Sequence, residues 1–210
     1  QFYNIDYSIY GNRYLYSIEK NKDAIKTDNK QKTKTDFYYS EFLKEYRPYT
    51  VLLPPDYQNK KQFPVIYCFG GGSEIHQSLF HPPLPDLYFQ EFKNKNSFIM
   101  IGIQGSLGGF YLNQPYGNNN LEQSFIQEAL SAVETKYSVN KNFRFLLGLS
   151  KGGYAALSIG LRNQDQFKGI ISISGVLKIG NPQLDPQSII KNIHIHIPIF
   201  ICCGEQDELG

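Results

Sequence analysis

The sequence predicts an α/β fold, a mostly parallel central sheet with helices on both faces, and three observations predict it. From Tyr38 onward strand-like and helix-like stretches alternate, the pattern that strand–helix–strand units leave in a chain. The strand-like stretches are continuous apolar runs, as expected of strands covered on both faces. One of them passes through a glycine–serine–glycine turn straight into a helix of small residues, FRFLLGLSKGGYAA over 143–156.

The elements follow in chain order. Lys20 to Asp36 is rich in lysine and nearly free of apolar residues, so it reads as a solvated loop between two early strands. Residues 1–36 are therefore expected to form a partly flexible strand and loop region, and 37–210 the core. Strands are predicted at Tyr49–Leu53, Pro64–Phe69, Phe98–Gln104, Phe143–Gly148, Gly169–Ser174 and Ile197–Cys203. Leu121, Phe125, Ala129, Leu130 and Val133 recur at three- and four-residue steps and mark the apolar face of one helix. An asparagine of the run Asn118–Asn120 is placed to cap it. A second helix follows Ser150, where Gly152, Gly153, Ala155 and Ala156 allow close approach to the sheet.

Composition bounds the function. The chain has 210 residues, 41% of them hydrophobic, which suits one domain with a sizeable core. Basic residues exceed acidic ones by only 21 to 19, so no field gathers nucleic acid. No apolar run approaches the ~20 residues of a membrane span, and none resembles a secretory leader, so a soluble chain is expected. Gln1 and the stop after an apolar run read as cut ends, which leaves the compartment open between cytoplasm and secretion. Cys68, Cys202 and Cys203 sit in apolar runs and read as small buried hydrophobes rather than a disulfide framework or metal site. Oligomeric state is not indicated.

The chemistry lies in Gly148-Leu149-Ser150-Lys151-Gly152. A sharp strand-to-helix turn leaves no room for side chains two residues either side of the serine, and it lifts the hydroxyl above the C-terminal edge of the sheet. The Lys151 N–H then faces any oxyanion formed on Ser150. Alone the pattern is weak; an apolar strand before it and a small-residue helix after it give it meaning. A second oxyanion donor is expected where Tyr67-Cys68-Phe69 runs into Gly70-Gly71-Gly72, with Gly71 preferred and its two neighbours open. After the last apolar run come Gly204, Glu205, Gln206 and Asp207. Asp207 is the preferred carboxylate, with Glu205 and Glu208 as competitors. Of the histidines, His194 and His196 precede the strand leading to Asp207, while His76 and His81 precede the serine. The general base is therefore expected beyond Gly210, and the fragment by itself is expected to be nearly inert.

With these residues in hand, the chain resembles the family known as Putative esterase, in the α/β-hydrolase superfamily, which includes esterase D, feruloyl and acetylxylan esterases and mycolyltransferases. The likeness covers about residues 37–210. Arg47 to Tyr57 (RPYTVLLPPDY) resembles the family strand ending in Leu-Pro-x-x-Tyr, and Phe63 to Gly72 resembles the next strand and glycine turn, with Phe69 where relatives often carry histidine or aspartate. Gly109 to Gly117 (GFYLNQPYG) resembles the substrate-side loop, GLSKGGYAAL the serine turn, Phe167 to Leu177 the following strand, and Cys203 to Leu209 the acid turn. The resemblance implies an α/β-hydrolase fold cut short at its C-terminus, and hydrolysis of an ester or thioester through an acyl-enzyme without metal or organic cofactor. Ser150 would be the nucleophile and Asp207 the acid, with N–H groups of Lys151 and Gly71 as the oxyanion hole. Phe110, Tyr111 and Tyr116 would line the pocket for a small-molecule ester. The rival readings are a prolyl-oligopeptidase-like serine peptidase, an acyltransferase, and a hydrolase fold kept as a non-catalytic binding protein.

Overall fold

Strand β3 (Phe63–Phe69) occupies the middle of the sheet because its sequence, FPVIYCF, is apolar on both faces. In the computed structural model, which describes residues 33–57, 61–72, 75–80, 85, 97–105, 110–113 and 120–207, six further strands join it. They are β1 (Thr33–Ser40), β2 (Glu45–Leu52), β4 (Ile99–Ile103), β5 (Val139–Leu149), β6 (Gly169–Ile173) and β7 (Ile199–Cys202). Their order is β1-β2-β4-β3-β5-β6-β7. The pairs β1–β2 and β2–β4 are antiparallel and all others are parallel. The chain leaves β3 toward β4 on one side and then crosses to β5 on the other. That reversal opens a crevice at the C-terminal ends of β3 and β5, where open α/β sheets bind ligands.

Two helices cover one face. Helix α1 spans residues 121–136 as an α-helical turn, Leu121–Gln123, a π-helical segment, Ser124–Ala129, and an α-helical segment, Leu130–Lys136. All five residues of its predicted apolar face are buried. Phe125 sets its ring edge-on against Tyr67 and Phe69 of β3, with centroids 5.5 and 5.1 Å apart. Asn120 stands at the N-cap but makes no side-chain bond there; Asn113 instead accepts from the Gln123 N–H at 3.4 Å. Helix α2 (Lys151–Arg162) is buried from Gly152 to Leu161. Its Gly160 faces Ile170 and Leu146 so closely that a methyl group would meet Ile170 at 2.6 Å. A short helix, α3 (Pro186–Ile190), follows β6. On the opposite face Leu52, Cys68 and Met100 pack with Phe80, and Gly102 lets the backbone of His76 pass directly over β4.

The predicted strands all form, with β2 starting earlier than expected at Glu45 and β5 at Val139. Part of the solvated-loop reading of Lys20 to Asp36 is corrected: Thr33 to Asp36 belong to β1 and pair with Tyr49 to Leu52. Asp36 is only 4% exposed, and its carboxylate accepts from the Tyr137 hydroxyl at 2.8 Å and pairs with Lys136 at 2.6 Å. Burial would push that carboxyl up, but these bonds and one from the Phe37 N–H bring it below the usual carboxylate range. The cysteine reading is also corrected in part: Cys68 is buried, whereas Cys202 is half-buried and Cys203 exposed. No helix among the described residues is long and apolar enough to cross a membrane.

Candidate active site

Ser150 stands between β5 and α2 at φ 54°, ψ −118°. A side-chain-bearing residue reaches that conformation only at an energetic cost, commonly on the order of 1–3 kcal/mol, and holds it where surrounding structure enforces it. The enforcing contacts are visible. The Ser150 N–H donates to the Ile173 carbonyl at 2.9 Å, and its own carbonyl accepts from the Tyr154 N–H at 3.1 Å, opening α2. A Cβ on Gly148 would stand 1.9 Å from the Gly152 carbonyl oxygen, and one on Gly152 would stand 2.1 Å from that of Phe69. Both glycines of the motif are therefore steric necessities of the turn.

The glycine run after β3 reaches the same place. A Cβ on Gly71 would lie 3.1 Å from both Ser150 Cβ and the Leu149 carbonyl oxygen, so Gly71 Cα rests against the serine. Gly70 is buried, and its carbonyl accepts from the Tyr111 hydroxyl at 3.2 Å. Lys151 opens α2, and its ammonium lies 5.3 Å from the centre of the Phe110 ring. Phe110 also meets Tyr154 edge-on at 5.3 Å. Tyr111 departs from the expected pocket-lining position. It is only 2% exposed and packs against Phe69, ring centres 4.9 Å apart, beneath the glycine turn. Tyr116 lies outside the described residues, as do His81 and Glu208.

Asp207 follows β7, where its N–H donates to the Gly204 carbonyl at 3.1 Å and its carboxylate accepts from the Cys203 thiol at 3.4 Å. That bond to Asp207 raises the pKa of the Cys203 thiol. Because β5, β6 and β7 are parallel, their C-terminal ends share one edge. Ser150 N–H to Ile173 O and Ser174 N–H to Cys202 O link those ends in sequence. The ends of β5 and β7 are thus about two strand spacings, ~10 Å, apart along the edge, and Asp207 lies on the turn that follows β7. Glu205 is exposed on the same turn.

Three histidines are described, and none neighbours this edge at Ser150. His76 is 4% exposed, and its Nδ1 lies 2.6 Å from Thr50 Oγ1 on β2, three strands from β5. Burial lowers its pKa to about 4, with Arg47 adding to the effect, so the ring is neutral near pH 7. His194 and His196 are exposed before β7, where Gln164 bonds the His194 carbonyl and the His196 N–H. Sequence reading missed Asp185. It is 1% exposed and accepts from the Tyr154 hydroxyl at 3.0 Å and from the N–H groups of Ile179 and Gly180, tying α2 to the loop after β6. Among the described residues, no group of three His, Cys, Asp or Glu is arranged to hold a metal.

This sheet order, with a serine held on a strained strand-to-helix turn, defines the α/β-hydrolase class. Comparison with known proteins specifies it further. A family model described as Putative esterase matches residues 40–194, and the chain belongs to that family. "Probable feruloyl esterase C" of Aspergillus niger is 26% identical over 131 residues, 61% of this chain and 46% of that protein. The chain thus spans about half the length of the curated relatives it matches. A solved ferulic acid esterase superposes with TM-score 0.64 at 26% identity, covering 77% of this chain and 68% of that one. An S-formylglutathione hydrolase of Staphylococcus aureus has the same fold, with TM-score 0.67 at 18% identity over 84% of this chain and 81% of that one.

Proposed function

We propose that the full-length protein is a serine carboxylic-ester or thioester hydrolase working through an acyl-enzyme. The observation that carries this reading is the conformation of Ser150: strained, forced by two glycines, and pressed against Gly71. In this reading Ser150 Oγ attacks the ester carbonyl carbon as an imidazole removes its proton. The negative charge on the carbonyl oxygen is taken by the N–H groups of Lys151 and Gly71 at the positive end of α2. The tetrahedral intermediate collapses, the alcohol leaves with that proton, and water repeats the sequence to release the acid. Asp207 orients the imidazole, for which the ~10 Å between the ends of β5 and β7 leaves room. The general base this reading requires is an imidazole outside the described residues, since His76, His194 and His196 are held elsewhere. Phe110, half-buried over the first turn of α2, is the described aromatic side chain proposed to meet the substrate.

Esters of aromatic acids such as ferulate are the first substrates to try, because relatives at 26% identity are named for that activity. Purified full-length protein is expected to hydrolyse a feruloyl ester or a short p-nitrophenyl ester at rates that Ser150→Ala reduces by at least about a thousandfold. Cleavage of a proline amide but not of esters would move the assignment to a peptidase. Product on an added alcohol rather than on water would move it to an acyltransferase. Absence of all three activities would favour a binding protein.

A further inference from the structure

Tyr111 is placed unlike a pocket residue. Its ring is buried against Phe69, its backbone adopts a positive φ of 59° next to Phe110 at 50°, and its hydroxyl donates to the carbonyl of Gly70. Two successive side-chain-bearing residues with positive φ are costly, and such strain persists where the surrounding structure fixes it. What it delivers here is a hydroxyl on one particular peptide. The Gly70 carbonyl and the Gly71 N–H belong to the same planar unit and point in opposite directions. Gly70 and Gly71 have no side chains to fix that plane, and Gly72 beyond them has φ 41°. Backbone packing from Gly152, Leu149 and Ser150 surrounds this plane, and the Tyr111 hydroxyl adds a directed bond on its carbonyl.

We infer that Tyr111 is a positioning residue of the oxyanion hole: by holding the Gly70 carbonyl it fixes the direction of the Gly71 N–H beside Ser150. Hydrogen bonding at the carbonyl also polarises the peptide, which strengthens the N–H as a donor. The inference rests on the proposed nucleophilic role of Ser150. Tyr111 is buried, so its effect is expected at the stage at which the carbonyl oxygen carries charge.

The test compares an ester with its thionoester, in which sulfur replaces the carbonyl oxygen, on full-length wild type and Tyr111→Phe. Sulfur is larger and accepts hydrogen bonds poorly, so the oxygen-over-sulfur ratio of kcat/KM reports the fit of the oxyanion donors. Phenylalanine keeps the ring packing on Phe69, and the melting temperature checks the fold. The expected result is a kcat for the ester about tenfold lower, KM within about twofold, and a severalfold smaller oxygen-over-sulfur ratio. An unchanged ratio overturns the inference, whether kcat is unchanged or both substrates slow equally, because the latter is what a merely structural role produces. A wild type that turns over neither substrate overturns the reading of Ser150 and this inference with it. Loss of the ratio in Tyr111→Phe with labelling of Ser150 by a fluorophosphonate retained supports it.

Discussion

Gly148, Gly152 and Gly71 around Ser150 separate two kinds of steric demand. Gly148 and Gly152 meet backbone oxygens at about 2 Å once a Cβ is added, and backbone cannot yield as a flexible side chain can. Gly71 meets Ser150 and Leu149 at 3.1 Å, a distance that a shift of a few tenths of an ångström relieves. The two substitutions should therefore fail differently. Gly152→Ala is expected to cost on the order of 3 kcal/mol of stability and to lose esterase activity with the turn. Gly71→Ala is expected to melt within a few degrees of wild type yet lose activity at least about tenfold, because the methyl crowds the serine and shifts the neighbouring N–H. Thermal melts and ester kinetics on the two variants check this; equal loss of stability in both would contradict it. The glycines around Ser150 were legible because their sequence spacing and the flanking apolar runs specify the turn. The Tyr111 hydroxyl and Gly70, 41 positions apart, carry no local signal of their pairing.

Elements built on polar contacts were the ones the sequence concealed. The first half of β1, Thr33 to Asp36, looks like loop, yet β1 pairs along its full length with β2, and its Asp36 bonds are supplied by Lys136 and Tyr137 about a hundred positions away. Ser40 at its end donates to Glu128 of α1, which also accepts from the N–H groups of Glu41 and Phe42, closing the turn into β2. Apolar periodicity gave the buried face of α1 and the central strands, where packing and pattern coincide. The 75–80 segment adds a buried polar bond, His76 to Thr50, to the apolar packing of Phe80. Its imidazole, lowered from 6.5 to about 4 by burial and then by Arg47, stays neutral in the fold while the unfolded chain takes up a proton below about pH 6.5. The unfolded state binds more protons in that window, so stability falls as pH drops from about 6.5 to about 4, by up to about 3 kcal/mol, and this contribution levels off below. Denaturant melts across that range should show a slope that is reduced in His76→Gln; identical slopes would contradict the neutral buried ring.

At the scale of the whole molecule, strand direction does the work of assembly. Residues 71, 150 and 207 are far apart in the chain, yet each follows a parallel strand, so the sheet delivers all three to one edge. The reversal of connection between β4 and β5 opens that edge beside β3, where Gly71 meets Ser150. This much was legible from alternation and motif order alone, since parallel sheets constrain where strand ends lie. The imidazole was not, because the described histidines are held elsewhere: His76 follows β3 but bonds Thr50, and His194 and His196 precede β7. The most direct test is to treat the full-length protein with a fluorophosphonate and map the adduct by peptide mass. One phosphonyl group is expected on the peptide bearing Ser150, and none in Ser150→Ala. An adduct on another residue, or labelling that survives the substitution, would contradict the central claim.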